Sequence, residues 1–318
     1  MKILITGANG FVGKAITLKL ADNKVNKVSV AIRDLAFEFP PNIEVYKHFD
    51  LETADWSAVL NDVDIIIHCA ARVHVMNEKS NNPIEAFRKV NVNGTLRLAN
   101  QAASLGVKRF IFLSSLKVNG ENTEIGKPFT AEDRPNPLDP YGVSKFEAEN
   151  GLLKISRESK LEIVIIRPPL VYGPGVKANF LSMLRWLDKS IPLPFGWTEN
   201  KRSFVALDNL VDLISICCVH QAAKNQIFMV SDGKDLSTTE LLRYIGNALN
   251  KKTRLISIHP NIMSFVAKLL GKSGLSQRLL GSLQVDISKN KLLLDWIPPI
   301  KVDEALNKTV DYFRKTSN

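Results

Sequence analysis

The sequence has few of the features that mark secreted, membrane-spanning or metal-binding proteins. No apolar run approaches the ~20 residues that a membrane-spanning helix requires. The apolar stretch at residues 3–5 is too short for the core of a signal peptide. The three cysteines, Cys69, Cys217 and Cys218, lie in apolar stretches and lack the spacing of metal ligands. We therefore expect a cytoplasmic protein with reduced, buried thiols and without a metal site.

Acidic residues are outnumbered, because 42 lysines and arginines stand against 32 aspartates and glutamates and give a formal net charge of +10. A basic surface attracts nucleic acid, acidic membrane or phosphorylated ligands. Aromatic and basic residues are not interleaved and we find no nucleic-acid motif, so nucleic acid is not an expected partner. The composition is otherwise that of an ordinary soluble globular protein, with 45% hydrophobic and 23% charged residues.

The order of apolar segments in the first half of the chain predicts an α/β protein. Short apolar strands alternate with helical patterns, which is typical of a parallel sheet covered on both faces. The predicted strands are 2–6, 25–33, 43–48, 64–69, 108–114 and 161–167, and the longer helices are 83–104 and 141–159. We expect a Rossmann-type, doubly wound sheet that binds ligands beyond the carboxyl ends of its strands.

Prolines and glycines interrupt this pattern after residue 167. Residues 204–206 and 227–230 are predicted strands that return to the main sheet. Residues 237–249, 262–283 and 302–315 are predicted helices of a smaller, discontinuous C-terminal substrate lobe. The resulting boundaries place residues 1–172 and 204–232 in the dinucleotide-binding domain. Residues 173–203 and 233–318 then form the substrate lobe.

A glycine-rich turn follows the first predicted strand, with Gly7, Gly10 and Gly13 spaced Gly-x-x-Gly-x-x-Gly. Glycines between a strand and a helix allow the backbone to approach a pyrophosphate at the helix N-terminus. The position of this turn therefore predicts a dinucleotide site. The residues expected to contribute are Gly7, Asn9, Gly10, Phe11, Val12 and Gly13.

The end of the second strand bears on the choice of dinucleotide. An acidic residue there would hold the 2′-hydroxyl of NAD, but the chain has Ile32 followed by Arg33. Arg33 is suited to a 2′-phosphate, which favours NADP(H) over NAD(H); alternatively, Arg33 is a surface residue paired with Asp34. After the third strand, Asp50 and Leu51 are expected beside the adenine, although Asp50 is equally suited to capping the next helix.

Tyr141 and Lys145 lie four residues apart in a predicted helix, which puts a phenol and an ammonium group on the same face. The ammonium group is expected to lower the pKa of the phenol and make it a usable acid or base. Ser114 and Ser115 close the fifth predicted strand, and a serine hydroxyl can hold the same substrate oxygen. This set of groups is suited to hydride transfer with a nicotinamide cofactor.

These motifs resemble the extended short-chain dehydrogenases/reductases of the NAD-dependent epimerase/dehydratase family. The resemblance covers the whole chain and is carried by residues 6–13 (TGANGFVG), 68–71 (HCAA), 91–95 (NVNGT), 114–115 (SS), 141–145 (YGVSK) and 167–175 (RPPLVYGPG). It implies a nucleotide-sugar substrate and a homodimer formed through helices 83–104 and 141–159. It also implies that Ala70, Ala71, Asn91 and Pro168, with Tyr141 and Lys145, belong to the cofactor site. Asn91 is expected to fix the backbone near the cofactor, with a hydrogen bond inside its helix as the alternative.

The resemblance also assigns residues to the reaction. Its spacing selects Ser115 over Ser114 as the catalytic serine beside Tyr141 and Lys145. Asn179, Phe195 and Arg202 carry over as substrate residues, with Phe195 against the uracil and Arg202 on the diphosphate. Lys117 is placed to reach a substrate carbonyl or phosphate, with simple solvent exposure as the alternative. Family 4,6-dehydratases have an Asp-Glu pair where this chain has Leu116 and Lys117, which argues against a dehydratase.

A closer resemblance, carried by residues 113–121, 176–180 and 202–213, is to a bacterial subgroup in surface-polysaccharide (O-antigen, lipopolysaccharide) synthesis. It implies reduction of UDP-2-acetamido-2,6-dideoxy-hexos-4-ulose to UDP-N-acetylquinovosamine. The first alternative is a UDP-hexose 4-epimerase, acting on UDP-glucose or UDP-N-acetylglucosamine with a retained NAD. A remote alternative is a non-catalytic, cofactor-binding regulatory protein, which the intact Ser-Tyr-Lys set disfavours.

Apolar residues recur at helical spacing between residues 261 and 283, with Lys268, Lys272 and Arg278 among them. This pattern predicts the core-facing side of a helix in the smaller lobe. The alternative is weak, peripheral docking of this segment to an acidic membrane. His68 lies in a strand and is expected in the core, while Arg72 and His74 are expected either at the pocket or in a surface loop.

Overall fold

The fold is described from a computed structural model, which covers residues 1–33, 37–47, 49–73, 82–269, 271 and 273–317. Its main sheet has seven parallel strands in the order β3-β2-β1-β4-β5-β6-β9. These strands are β1 (Lys2–Thr6), β2 (Lys27–Ala31), β3 (Ile43–Tyr46), β4 (Ile65–His68), β5 (Arg109–Leu113), β6 (Glu162–Arg167) and β9 (Gln226–Met229). The order reverses between β1 and β4, which creates a crevice at the carboxyl edge of the sheet. The predicted fold class is confirmed.

Helices cover both faces of the sheet and build a smaller lobe. In chain order they are α1 (Phe11–Ala21), α2 (Ser57–Leu60), α3 (Pro83–Arg88), α4 (Thr95–Ser104), α5 (Pro140–Glu158), α6 (Ala178–Asp188), α7 (Leu207–Val219), α8 (Thr238–Ala248), α9 (Pro260–Leu269), α10 (Ser273–Leu280), α11 (Ser288–Leu294) and α12 (Val302–Ser317). Within the described part of the chain, none of these helices has the length and apolar character needed to cross a membrane.

Three hydrophobic clusters account for most of the core. One cluster lies on the sheet face covered by α1 and α7 and contains Ile5, Val30 and Leu210. A second lies on the opposite face under α4 and α5 and contains Trp56 and Phe110. Burial on both faces explains why the strand sequences are almost continuously apolar instead of alternating. The third cluster joins α6, α8 and α12 in the smaller lobe.

The prediction that residues 204–206 return to the main sheet is wrong. The strand β8 (Phe204–Ala206) pairs in parallel with β7 (Leu170–Tyr172) in a separate two-stranded sheet. Pro168 and Pro169 stand between β6 and β7. Because proline has no N–H for the ladder, the chain leaves the main sheet at this point and β8 pairs outside it. The other predicted return strand does join the main sheet, as β9 beside β6.

Two predicted long helices are interrupted. The helix expected over 83–104 contains a π-helical turn at Lys89–Gly94, between α3 and α4. Asn91 lies inside that turn and its side chain bonds to groups outside the helix, which accounts for the local widening. The helix expected over 262–283 is divided into α9 and α10. Gly271 between them has a left-handed backbone, with φ of +66°.

The burial of α9 also differs from the prediction. We expected its apolar residues to face the core of the smaller lobe. None of its side chains, from Pro260 to Leu269, is buried. Helix α9 packs mainly against α10, which has only eight residues and leaves most of the α9 side chains exposed. Leu270 and Lys272, which belong to the same predicted segment, lie outside the described residues.

Candidate active site

The glycine turn packs tightly against the loop after β4. Gly7 has φ of +71°, and a Cβ at this position would lie 2.5 Å from the backbone nitrogen of Ala70. A Cβ on Gly13 would lie 2.2 Å from the carbonyl oxygen of Gly7. Any other residue at either position would therefore separate the turn from its neighbours. Gly10 is the N-cap residue of α1 and has no side chain with which to cap the helix.

A cavity of about 590 Å³ opens at this edge of the sheet, where the strand order reverses. Its volume and position suit an extended dinucleotide. Eight of the residues predicted to bind the cofactor line it. They are Gly7, Asn9, Gly10, Arg33, Asp50, Leu51, Ala70 and Ala71. Phe11, Val12 and Gly13 form the first turn of α1, and Phe11 and Val12 pack against the core behind it.

Asn91 ties the wall of the cavity to helix α5. Its side-chain oxygen accepts from the backbone N–H of Arg72 at 2.8 Å, and its amide group donates to the carbonyl of Arg72 at 3.0 Å. The amide also donates to the hydroxyl of Ser144 at 2.9 Å. Of the two alternatives for Asn91, these contacts match the fixing of backbone beside the cavity. His74, which was considered with Arg72, lies outside the described residues.

At the end of β2, Ile32 is only 4% exposed and Arg33 is exposed at the rim of the cavity. Asp34, the alternative partner for Arg33, lies outside the described residues. Asp50 lines the cavity, and its carboxylate accepts from the backbone N–H of Glu52 at 2.7 Å. That bond closes the turn after β3 and does not cap the next helix, because α2 begins at Ser57. The predicted position of Asp50 beside the adenine stays a prediction.

The predicted catalytic groups meet at the carboxyl end of β5. Asp139 caps α5 by accepting from the backbone N–H of Gly142 at 2.6 Å, which places Tyr141 in the first turn. Ser115 follows β5 and lies beside Tyr141, where its hydroxyl acts to lower the pKa of the phenol. Lys145 lies one turn further along α5 and is 1% exposed. Its ammonium nitrogen lies 4.2 Å from the centre of the Phe112 ring.

The net electrostatic effect on Tyr141 is opposite to the expected one. Burial raises the pKa of the phenol above its ordinary value, and the negative charge of Asp139 raises it further. These effects outweigh the opposite effect of the Ser115 hydroxyl. Burial also lowers the pKa of Lys145 from 10.5 to about 7, so its positive charge is only partial near neutral pH. The expected lowering of the Tyr141 pKa by a fully charged Lys145 is therefore wrong for this arrangement.

Ser114 and Ser115 have separate partners. The Ser114 hydroxyl donates to the Glu149 carboxylate at 2.5 Å, and Arg167 forms a two-pronged ion pair with the same carboxylate. Arg167 also donates to the side-chain oxygen of Asn119 at 2.9 Å. Asn119 thus anchors the loop after Leu116, because its own amide also donates to the carbonyl of Thr130. The geometry brings Ser115 to Tyr141, while Ser114 belongs to the layer beneath.

Two more predicted residues lie close to this serine. Pro168 is buried and its carbonyl accepts from the backbone N–H of Leu116 at 3.0 Å, which holds the segment after Ser115. Lys117 is half-buried and forms ion pairs with Glu121, at 3.1 Å, and with Asp139. These contacts exclude simple solvent exposure of Lys117. Its predicted contact with substrate stays a prediction.

The predicted substrate residues are spread over the smaller lobe. Asn179 is exposed in the first turn of α6. Phe195 is half-buried and lines an apolar groove beside α9 and α10. Arg202 is half-buried, and its guanidinium group donates to the carbonyl of Gly281 at 2.9 Å. Among these three residues, Arg202 also lies near charged side chains, those of Arg278 and Glu121.

Arg278 was missed as a site residue by sequence reasoning. Burial lowers the pKa of Arg202 to about 10, and the positive charge of Arg278 lowers it further, while Glu121 opposes this effect. Guanidinium groups pair well with anionic groups, so Arg278 is a candidate to act with Arg202 on an anion. Little in the sequence indicated this, because Arg278 lies in a segment whose apolar residues, at helical spacing, predicted a core-facing helix.

Other titratable groups near the cavity are structural. His68 is fully buried and bonds to the hydroxyls of Thr6, at 2.7 Å, and Thr95, at 2.9 Å. Burial lowers the pKa of His68 to about 3, so the ring is neutral and belongs to the core, as predicted. Burial raises the pKa of the Cys69 thiol to about 12, which makes it a poor nucleophile. Among the described residues, no group of three His, Cys, Asp or Glu side chains is arranged to hold a metal ion.

Comparison with known proteins identifies relatives along the whole chain. The NAD dependent epimerase/dehydratase family matches residues 3–231. A UDP-glucose 4-epimerase of Vibrio cholerae is 45% identical over 317 residues, which cover 99% of this chain and 96% of the relative. The resemblance to the family inferred from the motifs is thereby confirmed.

Solved structures support the fold. The UDP-glucuronic acid 4-epimerase of Bacillus cereus, in complex with NAD, aligns over 100% of both chains with a TM-score of 0.82 and 20% identity. The UDP-glucose 4-epimerase of Thermotoga maritima, with UDP-glucose, aligns over 100% of both chains with a TM-score of 0.79 and 24% identity. At these identities the likeness establishes a common fold.

The buried Lys145 generates a prediction about pH. Between the folded pKa of about 7 and the ordinary value of 10.5, the unfolded chain binds more protons than the folded chain, so stability increases with pH in this range. We expect the free energy of unfolding of the wild type, measured in urea, to increase relative to that of Lys145→Met from about pH 7 to about pH 10. Lys154→Met removes an exposed lysine of the same helix and serves as the control. Parallel curves for wild type and Lys145→Met would contradict a neutral Lys145.

Proposed function

Because the chain belongs to the NAD dependent epimerase/dehydratase family, we propose that it catalyses oxidation or reduction at C4 of a UDP-sugar. The observation that carries this proposal is the position of Ser115 beside Tyr141, where its hydroxyl acts to lower the pKa of the phenol, with Lys145 one turn along α5. The three groups lie at the carboxyl edge of the sheet, which also holds the dinucleotide cavity. A phenol, a hydroxyl and an amine in this arrangement can move a proton at a sugar oxygen.

The residues around the cavity fit a nicotinamide dinucleotide. Gly7 and Gly13 leave no room for a side chain, and this lets a dinucleotide approach the backbone at the start of α1, where N–H groups can bond phosphate oxygens. We assign the adenosine end to Asp50 and Leu51 and the middle of the cavity to Ala70 and Ala71. A bound nicotinamide dinucleotide would donate or accept hydride at the sugar carbon.

Each catalytic side chain then has a defined function. In the direction of reduction, the Tyr141 phenol gives its proton to the sugar oxygen, and its raised pKa keeps the proton available at neutral pH. The Ser115 hydroxyl donates to the same oxygen and stabilises developing negative charge. Lys145, with a pKa of about 7, can take up or release the proton that Tyr141 exchanges. Lys145 also holds the cofactor ribose in this proposal.

Reduction of a 4-keto sugar is the direction we favour. In place of the acidic pair of a dehydratase, the chain has the buried Leu116 and a Lys117 held by two carboxylates. These residues cannot remove and return the proton that dehydration requires. The proposed substrate is UDP-2-acetamido-2,6-dideoxy-hexos-4-ulose and the product UDP-N-acetylquinovosamine. Arg202 and Arg278 would bind the diphosphate, and Phe195, Asn179 and Lys117 would complete the substrate site.

The proposed reductase would use an exchangeable NADPH, whereas the alternative, a 4-epimerase, would retain its NAD. Ile32 offers no carboxylate for a ribose 2′-hydroxyl, and the exposed Arg33 at the cavity rim is suited to a 2′-phosphate. These residues support an exchangeable NADPH. The alternative is a UDP-hexose 4-epimerase with retained NAD, supported by the name of the Vibrio cholerae relative and by the NAD of the Bacillus cereus structure.

The setting of the enzyme is also proposed. We place it in the cytoplasm, in the synthesis of a surface polysaccharide such as O-antigen. Its dinucleotide-binding domain would consist of residues 1–172 and 204–232.

A homodimer would form through α4 and α5, which pack against each other near the site. Sedimentation velocity at micromolar concentration should give twice the mass of 35.4 kDa. A monomer mass would contradict the dimer.

The test of the reaction is cofactor oxidation by the purified protein. With the 4-keto substrate, we expect stoichiometric loss of reduced nicotinamide absorbance and formation of a reduced sugar, with NADPH preferred to NADH. Arg33→Ala should raise the KM for NADPH about tenfold or more while leaving that for NADH unchanged, because it removes one charged contact to the 2′-phosphate. Lys19→Ala, an exposed change on α1, is the control.

Two outcomes would change the assignment. Interconversion of UDP-glucose or UDP-N-acetylglucosamine with its 4-epimer, without net oxidation of added cofactor, would establish the epimerase instead. Bound cofactor without turnover of any of these sugars would favour the non-catalytic alternative.

Loss of the Tyr141 hydroxyl should separate chemistry from binding. We expect Tyr141→Phe to lower kcat by ~10²–10⁴-fold, because it removes the general acid, and to bind dinucleotide with unchanged affinity by fluorescence titration. Tyr312→Phe removes the same hydroxyl from a tyrosine that is 45% exposed on α12 and should leave both quantities unchanged. Full activity in Tyr141→Phe would exclude the proposed mechanism.

A further inference from the structure

Helix α9 has an apolar face that remains exposed among the residues that the structure describes. Ile262, Phe265, Val266 and Leu269 follow the spacing i, i+3, i+4, i+7 and therefore lie along one side of the helix. Their exposed fractions are 58%, 64%, 46% and 72%. Scattered exposed apolar residues are ordinary, but four on one helix face form a continuous strip that favours a partner.

The apolar strip continues onto the preceding loops. Trp197 is 52% exposed, and its ring meets that of His259, directly before α9, edge to face at 5.3 Å. Ile256 is also 52% exposed, and its carbonyl accepts from the backbone N–H of Gly196 at 3.0 Å. The docking surface, as we define it, consists of Trp197, Ile256, Ile262, Phe265, Val266 and Leu269.

The chain segment that carries most of the docking surface is basic. Residues 251–285 contain four lysines and two arginines, six basic residues in all, and no aspartate or glutamate. The six are Lys251, Lys252, Arg254, Lys268, Lys272 and Arg278. Lys252, Arg254 and Lys268 are exposed, whereas Lys251 is paired with Asp188. A positive fringe beside a strip of exposed apolar groups is complementary to a surface that is negative outside and apolar beneath.

We propose that this docking surface binds the headgroup region of a membrane rich in anionic phospholipid, with α9 lying in the plane of the interface. Phe265 and Leu269 enter the acyl boundary, and Trp197 lies at headgroup level, where tryptophan is enriched. Lys252 and Lys268 pair with lipid phosphates. This mode of binding is peripheral and requires no membrane-spanning helix.

The arrangement favours lipid over a second copy of the chain. An isologous contact would bring the basic fringe of one copy against that of the other without acidic residues from 251–285 to neutralise it. An anionic membrane supplies the missing charge along the whole length of the helix. A second copy is therefore an outcome that the experiment must exclude.

Docking would place the proposed substrate site close to the membrane. Phe195 lines the groove of about 300 Å³ between the loop before Trp197 and helices α9 and α10. Gly281, directly after α10, accepts from the guanidinium group of Arg202. The inference goes beyond the proposed reaction and does not depend on it, because lipid binding is measured without turnover.

The test is co-sedimentation of the full-length chain with vesicles. We expect binding to vesicles of phosphatidylcholine with phosphatidylglycerol, weaker binding as salt increases, and little binding to phosphatidylcholine alone. The double variant Phe265→Ser/Leu269→Ser should lose about tenfold or more of the affinity because it removes the inserted groups. The double variant Lys252→Glu/Lys268→Glu should lose a similar amount, mainly at low salt.

Matched controls make the result specific. Val25→Ser/Leu292→Ser removes apolar side chains that are 78% and 83% exposed elsewhere, and Lys19→Glu/Lys154→Glu reverses exposed charges on other helices. Both controls should bind vesicles as the wild type does, and all variants should keep the wild-type thermal midpoint. Absence of wild-type binding to anionic vesicles at low salt would overturn the proposal. A dimer that Phe265→Ser/Leu269→Ser dissociates would also overturn it and assign the surface to a second copy.

Discussion

The buried ion pair between Glu149 and Arg167 is the interaction on which the geometry of the site depends. Both side chains are only 2% exposed, and the pair joins α5 to β6 at the carboxyl edge of the sheet. A buried charge is tolerated only when its hydrogen-bonding capacity is satisfied, and here Ser114 and Asn119 complete the set. Removing one partner of such a pair typically costs ~3–5 kcal/mol. The pair therefore fixes how far α5, with Tyr141 and Lys145, stands from the segment that bears Ser115.

The same arrangement explains why two adjacent serines differ. A residue at the end of a strand directs its side chain to the face opposite that of its neighbour, so Ser114 and Ser115 cannot serve the same partner. Ser114 completes the buried layer, and Ser115 is left beside Tyr141 at the carboxyl edge of the sheet. The raised pKa of Tyr141 follows from its burial and from the negative charge of Asp139. The same carboxylate of Asp139 caps α5. Helix formation and the electrostatics of the site are thus coupled through one aspartate.

Much of the fold was predictable, because the signals are local. The apolar strands, the glycine turn and the Tyr141–Lys145 spacing each depend on neighbours within a few residues. The failures involve distant contacts. Nothing within 204–206 reveals that β8 pairs with β7, and the π-helical turn around Asn91 depends on Arg72 and Ser144. The exposure of α9 was missed for the same reason, since helical apolar spacing is identical whether its partner is a core or an interface. Arg278 was missed because its significance comes from Arg202.

The path of the chain through the main sheet limits how the protein can be divided. Helix α7 supplies Leu210, Leu213 and Ile214 to the cluster under the sheet, and β9 covers the edge of β6, although both follow the first segment of the smaller lobe. A fragment ending near residue 172 would expose the unpaired edge of β6 and the apolar face that α7 covers. Such a fragment would be prone to aggregation. The part of the chain that forms the main sheet is therefore not one continuous segment. Its exchange between related proteins would require at least two recombination points in the gene.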